Sequence, residues 1–310
     1  IVTADSDLDG TGNITDSLTG ETANITGLSV ALRAGDGTGS READDDADID
    51  LVVTNVAAVT NTGDVHLQNT GGLTIGTVDS LAGVTITDGG DVDGGGDITI
   101  RAASPLTVSA GAPIVNNAGG NITLAAEGSD AADDLTINDA VTALGGDGNI
   151  NLFAGDTISL AAITIGAAGI GMVVLSAGSD FNNATVRDGN SNGDIQMTSG
   201  ATVQSEGGDI TLQAPDDVQV SIVNADSDAA LAIGNIVVTA DFAGPDTSGG
   251  AGDTYDSDSV GAISDVLSSE AANLIGSLAT LTAATGIGSA DDLDTDLAQV
   301  NVANSTSGNV

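Results

Sequence analysis

The chain has no cysteine and no tryptophan, and its aromatic residues are three phenylalanines and one tyrosine. Without thiols it forms neither disulfides nor zinc–thiolate sites, and thiol catalysis is excluded. Large rings normally supply much of the buried area of a compact core, so an aromatic content of 1% argues against an ordinary globular domain. A core of Val, Ile, Leu, Ala and Thr is typical of stacked strands, where β-branched side chains fit the pleated surface.

Positive charge is also scarce. Four arginines and no lysine stand against 45 acidic residues, which gives a formal net charge of −41. Because such a chain repels phosphate backbones and anionic lipids, we expect no nucleic-acid partner. We also expect no membrane insertion, since no apolar run approaches the ~20 residues of a membrane span. The self-repulsion favours a saline or calcium-rich extracellular location.

A long internal repeat is the strongest signal in the sequence. Residues 12–40 return without a gap as residues 261–289, with 13 of 29 positions identical at an offset of 249. Two shorter matches flank it, of residues 2–5 with 238–241 and of residues 60–65 with 305–310. We therefore predict that residues 1–260 form one long solenoid repeat and that residues 261–310 begin the next, continuous with the first. This organisation is typical of a window from a longer tandem array.

A shorter unit recurs inside the long one: Gly, then Asp or Asn, then alternating aliphatic residues. Its seven copies begin at Gly63, Gly96, Gly120, Gly148, Gly193, Gly208 and Gly234. Gly and Asn/Asp tolerate the backbone of a tight corner, and the period-two alternation that follows predicts a half-buried strand. Further short strands are predicted at Leu106–Val108, Leu135–Ile137, Ala201–Val203 and Val218–Val220. A degenerate turn is expected around residues 158–165.

Stacking of these units at ~4.8 Å predicts an all-β fold, a parallel β-helix (β-solenoid) built as an elongated rod of stacked rungs. The inward aliphatic residues of five units should form one ladder, namely Ile98, Ile122, Ile150, Ile195 and Ile210. Residues 263–278 also have helical spacing, but glycines in the first copy favour strands. The loops 41–49 and 242–260 should bulge from the rod.

The Gly-Asp/Asn-Ile-Thr-Leu units, together with residues 281–289 (Leu-Thr-Ala-Ala-Thr-Gly-Ile-Gly-Ser), resemble giant bacterial surface proteins of the filamentous-haemagglutinin and autotransporter-adhesin type. The resemblance covers most of the chain and rests on low-complexity patterning. It implies a right-handed helix, secretion and a role in attachment or surface structure. The missing lysine and the long super-repeat depart from the commonest members.

One segment matches a calcium-binding loop. Asp5, Asp7 and Asp9 are followed by Gly10 and, at the twelfth position, Asp16, an arrangement that gathers hard oxygens around Ca²⁺. The predicted ligands are Asp5, Asp7, Asp9, Thr11, Asn13 and Asp16. The alternative is a solvated acidic loop. Residues 88–97 resemble glycine-aspartate calcium repeats but have no tandem copy, and the acid runs 42–50 and 291–296 are interpreted as solvated corners.

No catalytic residues are predicted. His66 is the only histidine, so a conventional Ser-His-Asp triad would have to use it, and its place between Val65 and Leu67 predicts a solvent-facing residue. We expect a non-catalytic structural or adhesive segment of a surface fibre, with neighbouring repeats end to end and cell-surface glycans or proteins as partners. The alternative is a self-assembling filament or sheath subunit. A polysaccharide lyase or hydrolase ranks third, since the cleft aromatics of such enzymes are scarce here.

Overall fold

The structure is a computed structural model that describes residues 1–5, 11–18, 20, 22–39, 47–87, 95–128, 132–178, 193–242, 260–288 and 291–308. The regular secondary structure of these residues consists entirely of β-strands. A single 30-stranded sheet contains all of them except one antiparallel hairpin. The prediction of an all-β parallel solenoid is confirmed, and the right-handed sense stays a prediction.

The strands are short, and most have three to six residues. The first twelve are β1 Val2–Thr3, β2 Asn13–Ile14, β3 Ile25–Thr26, β4 Ser29–Ala34, β5 Gly37–Thr38, β6 Ile49–Val52, β7 Asn55–Thr60, β8 Val65–Asn69, β9 Leu73–Ile75, β10 Thr77–Val78, β11 Leu81–Ala82 and β12 Val84–Ile86. Then come β13 Ile98–Ala102, β14 Leu106–Val108, β15 Ile114–Asn116, β16 Ile122–Ala126, β17 Leu135–Ile137, β18 Val141–Ala143, β19 Ile150–Ala154, β20 Ile158–Leu160, β21 Thr164–Ala167 and β22 Val173–Ser176. The last are β23 Ile195–Met197, β24 Thr202–Ser205, β25 Ile210–Gln213, β26 Val218–Val220, β27 Ile222–Asn224, β28 Ile236–Thr239, β29 Ala262–Asp265, β30 Leu274–Ala283, β31 Gly286–Ile287 and β32 Thr295–Asn304.

Each turn of the central solenoid contributes one strand to each of three parallel ladders. Ladder 1 stacks β8, β13, β16, β19, β22, β25 and β28. Ladder 2 stacks β9, β14, β17, β20, β23, β26 and β29. Ladder 3 stacks β12, β15, β18, β21, β24 and β27. The sequence predicted two strands for several of these turns, and the third strand completes the closed cross-section.

The core is the space that the three ladders enclose. Along a ladder 1 strand such as β16, Ile122 and Leu124 are fully buried while Thr123 is half-buried. Ile122 stacks between Ile98 and Ile150 in the turns on either side. Burying a side chain of this size contributes about 1.5–3 kcal/mol, and no single turn could bury it alone. Stacking is therefore what makes each strand stable.

One predicted ladder member was wrong. Ile195 is fully buried, but it pairs with Ile158 and Val218 in ladder 2 rather than with the ladder 1 isoleucines. The ladder 1 position between Ile150 and Ile210 belongs to Val173, which follows Gly-Met instead of Gly-Asp. The degenerate turn was therefore misplaced: residues 158–165 are ordinary ladder 2 and ladder 3 strands. A Gly-Asx corner marks where a strand begins but not which ladder it joins.

The two copies of the repeat make the same backbone contacts. β2 pairs with β5 through Ile14 and Thr38, and β29 pairs with β31 through the equivalent Ile263 and Ile287. Equivalent hydrogen bonds run from Gly39 N to Ile14 O and from Gly288 N to Ile263 O, both 2.9 Å. Strands rather than a helix occupy most of residues 262–283, as the glycines of the first copy favoured. The boundary drawn at residue 260 stays a prediction.

The copies lie on different sides of the solenoid. Strand β4 pairs with β7, which in turn pairs with β9 of ladder 2 and β12 of ladder 3. Its equivalent, the second half of β30, instead pairs with β28 of ladder 1. The repeat therefore does not contain a whole number of turns. Equivalent side chains in successive copies emerge on different faces.

Candidate functional site

The corner before ladder 1 carries a column of Asp and Asn side chains that bond from turn to turn. Asp97 Oδ1 accepts from the backbone N of Asn121 at 2.7 Å and from its Nδ2 at 3.1 Å. Asn121 Oδ1 accepts in the same way from Asn149, at 3.0 and 3.1 Å. Asn149 Oδ1 then accepts from Met172 N at 2.8 Å. The recurrent Asp or Asn of the sequence unit thus accepts a hydrogen bond from a corner N–H that the strand ladder does not pair.

A second column precedes ladder 2 and holds an acidic group that sequence reasoning missed. Asp194 Oδ1 accepts from Asp217 N at 2.9 Å, and Asp217 Oδ1 accepts from Ala262 N at 2.8 Å. Together with Asp216, these residues bring three carboxylate oxygens within 4.8 Å of one another. Oxygen ligands of this kind suit a hard cation such as Ca²⁺. The available signal was that Asp194 and Asp217 each precede a strand, which places them at one corner once both strands share a ladder.

The carboxylates of Asp194 and Asp217 already accept hydrogen bonds from the protein backbone. Asp194 Oδ2 also accepts from Gln196 Nε2 at 3.0 Å, so both of its oxygens bond within the protein. All three side chains are half-buried at the surface of the corner. These hydrogen bonds stabilise the corner.

The structure describes part of the predicted calcium loop. Asp7 and Asp9 lie outside the described residues. Asp5 is 7% exposed, and its carboxylate lies beside Gly35, close to the backbone of Thr11. Thr11 and Asn13 are exposed, and Asp16 is half-buried. The structure thus places Asp5 near Thr11, and the calcium site itself stays a prediction.

Asp16 instead takes part in a bracket that recurs in the second copy. Its Oδ1 accepts from Leu18 N at 2.6 Å and from Asn24 Nδ2 at 2.7 Å. The equivalent Asp265 accepts from Leu267 N at 2.6 Å and Asn273 Nδ2 at 2.7 Å. Each asparagine then accepts from a backbone N of the following turn, that of Asp50 or Asp294. The identities at these positions therefore preserve a structural corner, whose two copies stand on different sides of the solenoid.

The prediction that His66 faces solvent was wrong. Its side chain points away from the core by alternation, yet the residue is only 4% exposed. Thr38 pairs with Val65 and Ile49 pairs with Leu67, so the neighbouring strand is interrupted opposite His66. The two residues that flank this interruption are Gly39 and Asp48. They lie close to each other and to His66.

The acid run 42–50 is also not simply a solvated corner. Residues 42–46 lie outside the described part of the chain. Asp48 and Asp50 are buried, with 8% and 5% exposure. The run 291–296 is mostly exposed, as predicted. Of residues 88–97, only 95–97 are described, and Asp97 belongs to the ladder 1 corner column.

An outward row on ladder 1 is buried as well, which alternation alone does not predict. Arg101, Ala125, Phe153 and Ser176 occupy equivalent outward positions on four successive turns, and each is less than a tenth exposed. Arg101 Nε donates to Glu127 Oε1 at 2.7 Å. The Arg101 guanidinium and the Phe153 ring thus belong to one buried outward row of ladder 1, in a chain that is otherwise acidic.

Strand β32 carries two exposed aliphatic side chains, Val300 and Val302. β32 pairs along one edge with β30, where Val300 stands over Ala279 and Val302 over Leu281. Ala279 and Leu281 are buried, while Val300 and Val302 are 48% and 39% exposed.

Among the described residues there is no helix long and apolar enough to cross a membrane. The chain matches no protein-family model, no curated protein and no solved structure.

Proposed function

We propose that the chain is a non-catalytic structural segment of a long extracellular fibre of the adhesin type, built from stacked solenoid turns. The observation that supports this most strongly is the continuous parallel pairing from β1 to β32, which joins both copies of the repeat in one sheet. In such a stack each turn contacts only its neighbours, so length is gained by adding turns. Stiffness and reach are the properties that this architecture supplies.

The surface chemistry fits an extracellular setting. With 45 acidic residues against four arginines, neighbouring fibres repel each other and stay dispersed. Divalent cations or salt would screen that repulsion. Attachment would then use glycans or proteins of another surface.

The roles of the acidic groups also favour structure over catalysis. In both Asx columns the carboxylate or amide oxygen accepts a backbone N–H from the next turn. These side chains hold consecutive turns together at the corners. Incubation with neutral and acidic polysaccharides should therefore release no reducing ends. Release that disappears on Asp194→Asn exchange would instead assign a hydrolase.

A second candidate is a subunit that polymerises end to end, since β32 carries the exposed aliphatic side chains of Val300 and Val302. Burying Val300 and Val302 against another turn would contribute about 1–2 kcal/mol for each side chain. Sedimentation velocity over a range of concentrations should therefore show association of the 310-residue chain. Electron microscopy separates the candidates: unlimited filaments of constant width favour the subunit, and short oligomers favour the fibre segment.

A matched pair of variants tests whether Val300 and Val302 drive this association. Exchange of both Val300 and Val302 for Asn places amides where the next turn would bury them, and should weaken association by about tenfold or more. Ala303→Asn changes an outward position of the same strand and should leave association unchanged. A stable monomer at all concentrations, with slow hydrogen exchange in β32, would contradict the stacking proposal.

A further inference from the structure

Apolar side chains are exposed on one corner of the solenoid, where the chain passes from ladder 3 to ladder 1. Three successive connections make this passage, namely residues 168–172, 206–209 and 225–235. The first and third carry large apolar side chains with substantial exposure: Ile170 57%, Met172 48%, Leu231 39% and Ile233 50%. These four residues are called the apolar patch.

Two glycines of the middle connection join the two halves of the apolar patch. A Cβ added at Gly208 would come within 2.5 Å of the carbonyl oxygen of Ile170. One added at Gly207 would come within 3.1 Å of the Cβ of Leu231. Ile170 and Leu231 therefore lie on either side of a single Gly-Gly step. Because this step has no side chain of its own, the apolar residues of the outer two turns form one surface.

Carboxylates border the apolar patch. Four of them accept a hydrogen bond of 2.7–3.0 Å from a backbone N–H that lies within two residues of a patch residue. The pairs are Asp147 with Ile170, Glu206 with Gly169, Asp209 with Asn235 and Asp228 with Ala230. Glu206 is half-buried and the other three acids are exposed. Neither arginine that the structure describes, Arg33 or Arg101, belongs to these turns. The border of the patch is therefore negatively charged.

This combination of apolar and acidic groups selects the chemistry of a partner. Apolar side chains exposed together on a protein surface mark an interaction site, because burying them on a partner is favourable. The bordering carboxylates favour Lys or Arg at the rim of that partner. A second copy of this chain fits poorly, since its 45 acidic residues stand against four arginines. An anionic lipid surface is repelled for the same reason.

We infer that the apolar patch docks a segment of another protein in which Lys or Arg side chains stand beside aliphatic ones. The aliphatic side chains of the segment would pack on the patch, and its cations would pair with carboxylates such as Asp147 and Asp209. This inference rests on the proposed function, since it names the class of protein to which the fibre would attach.

Fluorescence anisotropy with a labelled peptide tests the docking directly. The probe is a peptide of alternating Lys and Leu, about ten residues long, which is enough to cross several stacked turns. The control peptide has Ser in place of Leu and therefore the same charge. At physiological ionic strength we expect saturable binding of the Leu peptide to the 310-residue chain. It should bind about tenfold or more tightly than the Ser peptide, because only its side chains bury apolar area. Equal binding of the two peptides would mean attraction by charge alone and would overturn the inference.

Variants of the chain locate the binding. Joint exchange of Ile170 and Ile233 for Ser should weaken binding of the Leu peptide by about tenfold or more. The matched control is the joint exchange of Leu28 and Val52 for Ser, since these residues are 77% and 42% exposed but lie outside the patch. It should leave the affinity unchanged within about twofold.

A second pair of variants tests the acidic border without changing the apolar residues. Asp147 and Asp209 are exchanged together for Asn, whose amide oxygen can still accept from the same backbone N–H groups. Affinity should fall by about threefold or more. Exchange of the exposed Asp291 and Asp292 for Asn removes the same charge from the connection between β31 and β32, and should have a smaller effect.

The inference is overturned if the patch variants weaken binding no more than their controls do. It is also overturned if the chain self-associates without peptide and this association is lost in the Ile170 and Ile233 variant, a result that assigns the patch to a second copy. Unlimited filaments or release of reducing ends from polysaccharides would count against the fibre segment alone, since neither alters peptide binding.

Discussion

Exchange of Asn121 tests whether the corner column holds consecutive turns together. Its side chain accepts two hydrogen bonds from Asn149, on the backbone N and on Nδ2, and donates one to the carboxylate of Asp97. Asn121→Ala removes all three and leaves the backbone N–H of Asn149 without its partner. Neutral hydrogen bonds contribute about 0.5–1.5 kcal/mol each, and bonds to charged groups about 1.5–3. Because the site is only part-buried, water recovers some of this, and we expect a loss of about 2–4 kcal/mol.

Asn121→Asp separates hydrogen bonding from charge. The carboxylate keeps the acceptor for Asn149 but replaces the donor to Asp97 with a second negative charge. Two charges near 4 Å apart repel by about 1 kcal/mol in water and about 4 at the surface of a protein. We therefore expect destabilisation by about 1–3 kcal/mol that shrinks as salt is added, since salt screens exposed charges. The loss in Asn121→Ala should not depend on salt.

The assay is local, because stacked turns open in parts rather than all at once. Hydrogen exchange in β16 and β19, on either side of the corner, should speed up in both variants, while exchange in the distant β28 stays unchanged. Asn151→Ala is the control, since that side chain makes no hydrogen bond to the described residues. If neither Asn121 variant accelerates exchange more than Asn151→Ala does, the column does not stabilise the stack.

Two further predictions concern close packing and calcium. Gly63→Ala should destabilise the first turns by about 2 kcal/mol or more in urea unfolding, because a Cβ there collides with the carbonyl oxygen of Asp36. Gly71→Ala, where no atom lies within 4 Å of the added carbon, should change stability by less than about 0.5 kcal/mol. Millimolar Ca²⁺ should raise the thermal midpoint and a chelator should lower it, because bound cations relieve carboxylate repulsion. The joint exchange of Asp7 and Asp9 for Asn should reduce this shift, and an unchanged shift would exclude the predicted calcium loop.

The sequence by itself determined the fold class and the starts of most ladder 1 strands. Both depend on local chemistry: a Gly-Asx corner such as Gly120–Asn121 turns the chain, and alternating residues such as Ile122, Thr123 and Leu124 sort themselves between core and surface. The repeat was equally visible, because identical residues such as Asp16 and Asp265 make identical corner contacts. The corner role of Asp and Asn could be predicted, but their turn-to-turn hydrogen bonds could not.

Only the tertiary structure decided which ladder each strand joins. Ile122 and Ile195 follow similar corners, yet they lie in ladders 1 and 2, because the length of chain between strands fixes how far each turn has rotated. The same lengths decide which side each copy of the repeat faces and which carboxylates meet, as at Asp194 and Asp217. Burial of His66 depends on an interruption in the neighbouring turn, where Gly39 and Asp48 lie 27 and 18 residues before it in the sequence. Such contacts join residues that are distant in the chain, so local patterns carry no record of them.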